Sequence, residues 1–172
     1  MKKVVIFGAG QIGRGFIGDI CHSSGYHLVF VDVVEDVVRM LNESKAYPLW
    51  LLGNERKEER LITDLSAIVF SEREKISDVL TETDIAFTAV GANNVKALAS
   101  LLADGINRKA EEFPDTYLNV IICENLLGSS DILKEEIKKY VSPSGLSFLE
   151  ERTGLIESVV SRMVAPLSED MK

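Results

Sequence analysis

Short apolar runs alternate with amphipathic stretches along this chain. Val4–Phe7 is a continuous apolar run of the kind buried on both faces of a sheet. Gln11 to about Ser24 follows at helical spacing, with Ile12, Phe16, Ile17 and Ile20 on one stripe and Gly25 as its stop. His27–Asp32 predicts a second strand, and Glu35 to about Asn42 a helix burying Val37, Val38 and Leu41. Ala46–Leu52 and Glu59–Thr63, separated by Gly53-Asn54 and a charged stretch, predict an inserted β-hairpin with Trp50 packed in it. Beyond it the pattern predicts a short strand Ala67–Phe70 and a short helix around Ile76–Leu80. Asp84–Val90 is a near-continuous apolar strand ended by Gly91, and a helix from about Val95 to Glu112 follows. Leu118–Cys123 reads as the next buried strand and Ser130–Tyr140 as a helix stopped by Ser142-Pro143-Ser144-Gly145. A short helical or irregular stretch then leads to a last apolar segment, Ser158–Ala165, taken as the sixth strand.

Strands alternating with helices predict an α/β fold: a Rossmann-type, doubly wound, mainly parallel sheet with right-handed crossovers. In such sheets ligands bind at the carboxyl ends of the strands. Gly8–Gly13, Asp32, Thr88–Gly91 and Glu124-Asn125 all fall at those ends.

The first of these groups reads Gly8-Ala9-Gly10-Gln11-Ile12-Gly13, directly after a buried strand and opening a helix. That context is the dinucleotide-binding fingerprint. Gly8 permits the tight turn, Gly10 lets a pyrophosphate approach the backbone, and Gly13 lets the helix pack on the strand. Gln11 and Ile12 complete the loop, where unpaired N–H groups meet the phosphates at the positive end of the helix dipole. The fingerprint also requires an acid about 20 residues on. Asp32 stands 19 positions after Gly13, at the end of the second strand. Its carboxylate accepts from a ribose 2′-hydroxyl and repels a 2′-phosphate, and the next arginine is Arg39. The expected cofactor is therefore NAD rather than NADP.

Composition narrows the class. The 172 residues suffice for one domain with a sizeable core, and 46% hydrophobic with 27% charged residues is ordinary for a globular protein. A net charge of −8 argues against nucleic acid or an anionic membrane as partner. No apolar run approaches the roughly 20 residues of a membrane span. The start of the chain runs directly into a strand, so no signal peptide is expected. Cys21 and Cys123 lack metal-ligand spacing and read as two reduced thiols of a cytoplasmic protein, with no metal expected. His22 and His27 flank the first helix–strand turn and read as turn or surface residues.

Several segments together resemble one family. Phe7-Gly-Ala-Gly-Gln-Ile-Gly-Arg-Gly-Phe-Ile-Gly18, Thr88-Ala-Val-Gly91, Asn119-Val-Ile-Ile-Cys-Glu-Asn125 and the tail Ser158–Pro166 are similar to mannitol-1-phosphate 5-dehydrogenases. The wider group is the polyol-specific long-chain dehydrogenases. The resemblance spans nearly the whole chain. It implies an NAD-dependent oxidoreductase interconverting mannitol 1-phosphate and fructose 6-phosphate by hydride transfer. It assigns Asn125 a catalytic role, its amide donating to the oxygen on which negative charge develops; the alternative is a cap for the helix just beyond. Thr88, Ala89 and Gly91 are implied as a backbone wall against the nicotinamide half. Arg14 is a candidate for a cofactor or substrate phosphate, or else an exposed surface arginine.

Two positions depart from the family pattern: Ser161 stands where an aspartate usually precedes the tail arginine, here Arg162, and Val34 where asparagine is frequent. The resemblance also implies a second, mostly helical domain beyond Lys172, carrying a general acid/base lysine and most sugar-phosphate contacts. The 172 residues alone are thus expected to bind NAD without turning over sugar phosphate. Rival readings at this point are a hexuronate reductase, a mannitol 2-dehydrogenase, and a stand-alone NAD-binding sensor or interaction module. Oligomeric state stays open.

Overall fold

The protein is described here from a computed structural model that covers residues 2–53 and 57–164. Six parallel strands form one sheet: β1 (Lys3–Phe7), β2 (His27–Asp32), β5 (Leu65–Val69), β6 (Ile85–Thr88), β7 (Leu118–Ile122) and β8 (Thr153–Glu157). Between β2 and β5 lies an antiparallel hairpin, β3 (Tyr47–Leu52) with β4 (Lys57–Ile62), as the sequence predicts; Asn54 of its predicted turn lies outside the described residues. The strand order is β5-β2-β1-β6-β7-β8. With the hairpin left out this is the doubly wound order 3-2-1-4-5-6, whose direction reverses between β1 and β6.

β1 sits at the centre because all of its side chains from Val4 to Phe7 are fully buried. Val5 and Phe7 face one layer, packing with α3 (Arg73–Thr81), α4 (Ala99–Glu112), α5 (Ser129–Ile137) and α6 (Pro143–Glu151) through Leu80, Leu102, Leu133 and Phe148. Val4 and Ile6 face the other, against Ile17 and Cys21 of the first helix, Val38 and Leu41 of α2 (Glu35–Ser44) and Ile62 of the hairpin. The two-residue period of a strand thus splits one apolar run between two cores.

Three predicted elements change. The first helix is not uniform: Gly13–Ile17 is a π-helical turn that leads into α1 (Gly18–Ser23). The helix predicted from Val95 begins as a 3₁₀ stretch, Ala92–Leu98, and becomes α-helical only at α4. The last strand is Thr153–Glu157, not Ser158–Ala165, and the stretch before it is the regular helix α6. The reason is register. β7 ends at Ile122, and Thr153–Glu157 pairs with Leu118–Ile122 residue for residue. After Ser158 donates its N–H to Ile122 O at 3.0 Å, the described residues of the apolar segment have no strand to extend. Residues 158–164 therefore run as an irregular strap, and Ala165 lies outside the described residues.

Candidate functional site

The chain turns sharply at the carboxyl end of β1, with Gly8 at φ +99°. Gly8 N–H bonds Val31 O at 2.8 Å, and Ala89 N–H bonds Phe7 O at 2.7 Å, so the ends of β1, β2 and β6 are drawn together. A Cβ on Gly8 would overlap the Ala89 carbonyl, and one on Gly13 would overlap the Gly8 carbonyl. These two glycines are therefore required by backbone packing. Gly10 differs: a Cβ there would meet nothing within 4 Å. The space in front of it is open, as a backbone cradle for phosphate requires.

Asp32 closes the loop from below. One carboxylate oxygen accepts from Ala9 N–H at 2.6 Å and the other from Val34 N–H at 2.9 Å. Each oxygen retains a second acceptor direction for a sugar hydroxyl. Val34, where a polar side chain is frequent in the family pattern, contributes its backbone amide instead. Gly8, Gly10, Gln11, Ile12, Gly13, Asp32 and Ala89 are thus gathered around one strand-end crevice at the switch point.

Thr88 belongs to the scaffold of that crevice. It is fully buried, and its hydroxyl donates to Glu124 Oε2 at 2.6 Å while Val90 N–H donates to Glu124 Oε1 at 3.0 Å. Glu124 therefore ties the ends of β6 and β7, leaving Ala89 and Gly91 to present backbone. Gly91, at φ +86°, starts the 3₁₀ stretch.

Asn125 lies one residue further on, exposed and in the left-handed region at φ +52°. It does not cap the next helix: α5 has Gly128 at its N-cap and no side-chain cap. Its amide is paired with the strap instead, Nδ2 donating to Val160 O at 3.1 Å and Oδ1 accepting from Val160 N–H at 2.8 Å. The side chain imitates the missing backbone ladder. One Nδ2 hydrogen remains uncommitted by this pairing.

The strap continues to the first helix. Arg162 donates to Asp19 Oδ2 at 2.8 Å, and Arg60 of β4 donates to Asp19 Oδ1 at 2.9 Å. The Asp19 side chain is 3% exposed. Burial on its own would raise its pKa; the Arg162 and Arg60 guanidiniums outweigh that and hold the carboxyl below the usual range. Arg162 also lies over the Phe16 ring, 5.3 Å from its centroid. An open apolar cavity of about 180 Å³ sits beside this junction, between Phe16, Phe87, Ile121 and Val160; no glycine-loop residue lines it.

Tyr47, Asp19, Arg60 and the tying role of Glu124 were not read from the sequence. Asp19 carried one signal, a charge placed among the buried positions of an apolar helix, which demands partners. Trp50 packs in the hairpin under Lys57, whose Nζ is 3.9 Å from the ring centroid. His27, at the start of β2, reaches Asp64 and Ser66 at the start of β5 at 2.8 and 3.0 Å, and His22 reaches Thr63 at 3.2 Å. Burial pushes the Cys21 thiol up to about 12 and also raises Cys123, so both stay protonated at neutral pH.

A doubly wound parallel sheet with a glycine turn and a strand-end carboxylate at its switch point defines a Rossmann-type dinucleotide-binding domain. A family profile described as the mannitol dehydrogenase Rossmann domain matches residues 2–172, and the chain belongs to that family. Membership places it among the nicotinamide-cofactor-binding domains of dehydrogenases. The chain is 39% identical over 173 residues to a mannitol-1-phosphate 5-dehydrogenase of Streptococcus pneumoniae strain CGSP14, covering 99% of this chain and 45% of that protein. It is 38% identical over 167 residues to the enzyme of the same name from Geobacillus stearothermophilus, covering 96% and 43%. The chain thus spans less than half the length of these relatives. A UDP-glucose dehydrogenase from Pyrobaculum islandicum aligns with a TM-score of 0.58 at 18% identity, over 92% of this chain and 35% of that one, which shows the shared fold. Among the described residues no helix is long and apolar enough to cross a membrane.

Proposed function

We propose that this chain binds NAD at the carboxyl ends of β1 and β2, as the cofactor domain of an enzyme interconverting mannitol 1-phosphate and fructose 6-phosphate. The observation that carries the cofactor reading is the pairing of an open Gly10 with an Asp32 carboxylate at the end of β2. The carboxylate favours a free 2′-hydroxyl over a 2′-phosphate, hence NAD over NADP. The substrate reading is supported by the relatives' names and by the match of the glycine loop, the Thr88–Gly91 wall and Asn125 to the same family pattern.

Bound NAD supplies the hydride-accepting ring; the chain supplies placement and charge. Gly8–Gly13 would receive the pyrophosphate and Asp32 the ribose. Ala89 and Gly91 would wall the nicotinamide half, and the remaining Asn125 amide hydrogen would face the substrate oxygen. Turnover by these 172 residues alone is expected to be negligible, because the resemblance places the general acid/base lysine in a further helical domain. Proton transfer of that kind contributes about 10²–10⁴-fold. The proposed partners are a sugar phosphate and no nucleic acid or membrane, in the cytoplasm.

Calorimetric titration of the chain with NAD and with NADP tests the cofactor reading. Saturable NAD binding with NADP at least tenfold weaker is the expected result. Equal affinity for both removes the argument from Asp32. For the substrate, steady-state rates of a full-length protein carrying this domain on fructose 6-phosphate, fructose and tagaturonate decide between the phosphate enzyme and its relatives.

A further inference from the structure

The Gly13–Ile17 π turn has a specific hydrogen-bond balance. In an α-helix the Gly18 N–H would bond the Arg14 carbonyl four residues back. Here it bonds Gly13 O instead, five residues back, so the Arg14 carbonyl does not receive the Gly18 N–H. The Tyr47 hydroxyl, arriving from β3, donates to that carbonyl at 2.8 Å. Gly18 makes room for it, since a Cβ at that position would overlap the Tyr47 oxygen. The Tyr47 ring is set edge-on against Phe30 of β2, with centroids 6.2 Å apart. Burial pushes the phenol pKa upward, so the hydroxyl remains a donor at neutral pH.

Arg14 rides on this turn, one residue past Gly13. Its own N–H bonds Gly10 O at 3.0 Å, which couples the turn to the open glycine of the loop. Its Nε is buried and, among the described residues, has no hydrogen-bond partner. A buried guanidinium N–H without an acceptor is costly, and the side chain as a whole is only half-buried, which leaves the charged head within reach of a phosphate oxygen. π turns of this kind recur at functional sites, where an inserted side chain satisfies the freed carbonyl.

We propose that Tyr47 is a positioning residue for phosphate recognition by Arg14, its hydroxyl holding open the wide helical turn that carries the arginine. The inference rests on the reading of the glycine loop as a dinucleotide site. It explains why Gly18 and an aromatic hydroxyl in the inserted hairpin occur together. The phosphate belongs either to the pyrophosphate of the dinucleotide or to the monoester of a sugar phosphate.

Titration of the 172-residue chain with ADP-ribose, mannitol 1-phosphate and adenosine tests the proposal and separates the two sources. Tyr47→Phe is expected to weaken binding of one phosphate probe about 3- to 10-fold, the size of one lost hydrogen bond, while adenosine binding is unchanged. A loss confined to ADP-ribose assigns the pyrophosphate; a loss confined to mannitol 1-phosphate assigns the monoester. Arg14→Gln weakens the same probe, and the double variant is no weaker than Arg14→Gln alone, because Tyr47 acts through Arg14. Gly18→Ala, whose methyl displaces the hydroxyl, gives the same pattern by an independent route. Wild-type affinity for both phosphate probes in Tyr47→Phe and Gly18→Ala overturns the proposal and leaves the dinucleotide site standing. So does an equal loss for adenosine, which marks a purely structural role. Failure of the wild-type chain to bind any probe overturns the site reading and the proposal together.

Discussion

The two banks of the crevice are built differently. The bank formed by β1 and β2 is made of backbone: three glycines, a turn and one carboxylate, all within 25 residues of one another in the chain. The bank formed by β6, β7 and the strap is made of side chains that meet across long separations. Glu124 bridges Thr88 and Val90, Asn125 pairs with Val160, and Arg162 reaches Asp19 across 143 positions. A backbone cradle follows from local sequence and tolerates change outside its glycines. A bank tied by polar side chains depends on each tie, and its ties join residues that lie far apart in the chain.

The sharpest test of the first bank is Gly13→Ala. The new methyl has backbone on its far side, so the helix must move off the strand, at a cost of roughly 3 kcal/mol by analogy with overpacked cores. Urea unfolding with an unchanged m-value would register it; a loss below about 0.5 kcal/mol would show that the loop yields.

Asp19→Asn addresses the second bank. It is expected to cost roughly 2 kcal/mol, less than a fully buried pair because Arg60 and Arg162 remain partly in water. The same carboxylate predicts a pH dependence. Its folded pKa lies below the unfolded value of about 4, so its stabilisation is complete above that value and fades as pH falls through the folded pKa. Thermal melts of wild type and Asp19→Asn should therefore converge in acid and separate at neutral pH. A constant gap across that range contradicts the assignment.

Asn125→Ala removes two exposed hydrogen bonds to the strap and should cost about 1 kcal/mol. On the proposed function, in a full-length dehydrogenase carrying this domain, loss of a donor to a developing oxyanion would lower kcat by about 10²–10³. A variant that is destabilised but fully active would make Asn125 a strap anchor only.

The smallest effect on stability belongs to Gly10→Ala, which meets no neighbour and should shift unfolding by less than about 0.5 kcal/mol. NAD affinity should nevertheless fall at least about tenfold, because the methyl occupies the cradle. Retained NAD affinity would move the pyrophosphate away from Gly10. Together with Gly13→Ala, this separates the glycine that holds the fold from the glycine that serves the ligand.

Legibility in the sequence followed the same division. The β1–loop–helix unit, Asp32 and the alternation of strands and helices were readable because each rests on neighbouring residues and a fixed period. The sixth strand was misplaced because Ser158–Ala165 is the more apolar segment, whereas a strand is chosen by its partner's register. Val159 is 86% exposed, so hydrophobicity there did not report burial. The π turn was invisible as well. Gly13–Ile17 has an ordinary helical pattern, and the hydroxyl that donates to its Arg14 carbonyl arrives from a separate hairpin, on Tyr47.

The amino-acid sequence by itself determined the doubly wound fold, the glycine turn, the acid at the end of β2 and the family, because these depend on local periodicity and short spacings. Only the tertiary structure decided where the sheet ends, that Asn125 pairs with the strap, that Asp19 joins hairpin, helix and tail, and that Tyr47 shapes the turn carrying Arg14. Those features are hydrogen bonds and ion pairs between distant segments, and their partners become neighbours only when the hydrophobic layers have packed.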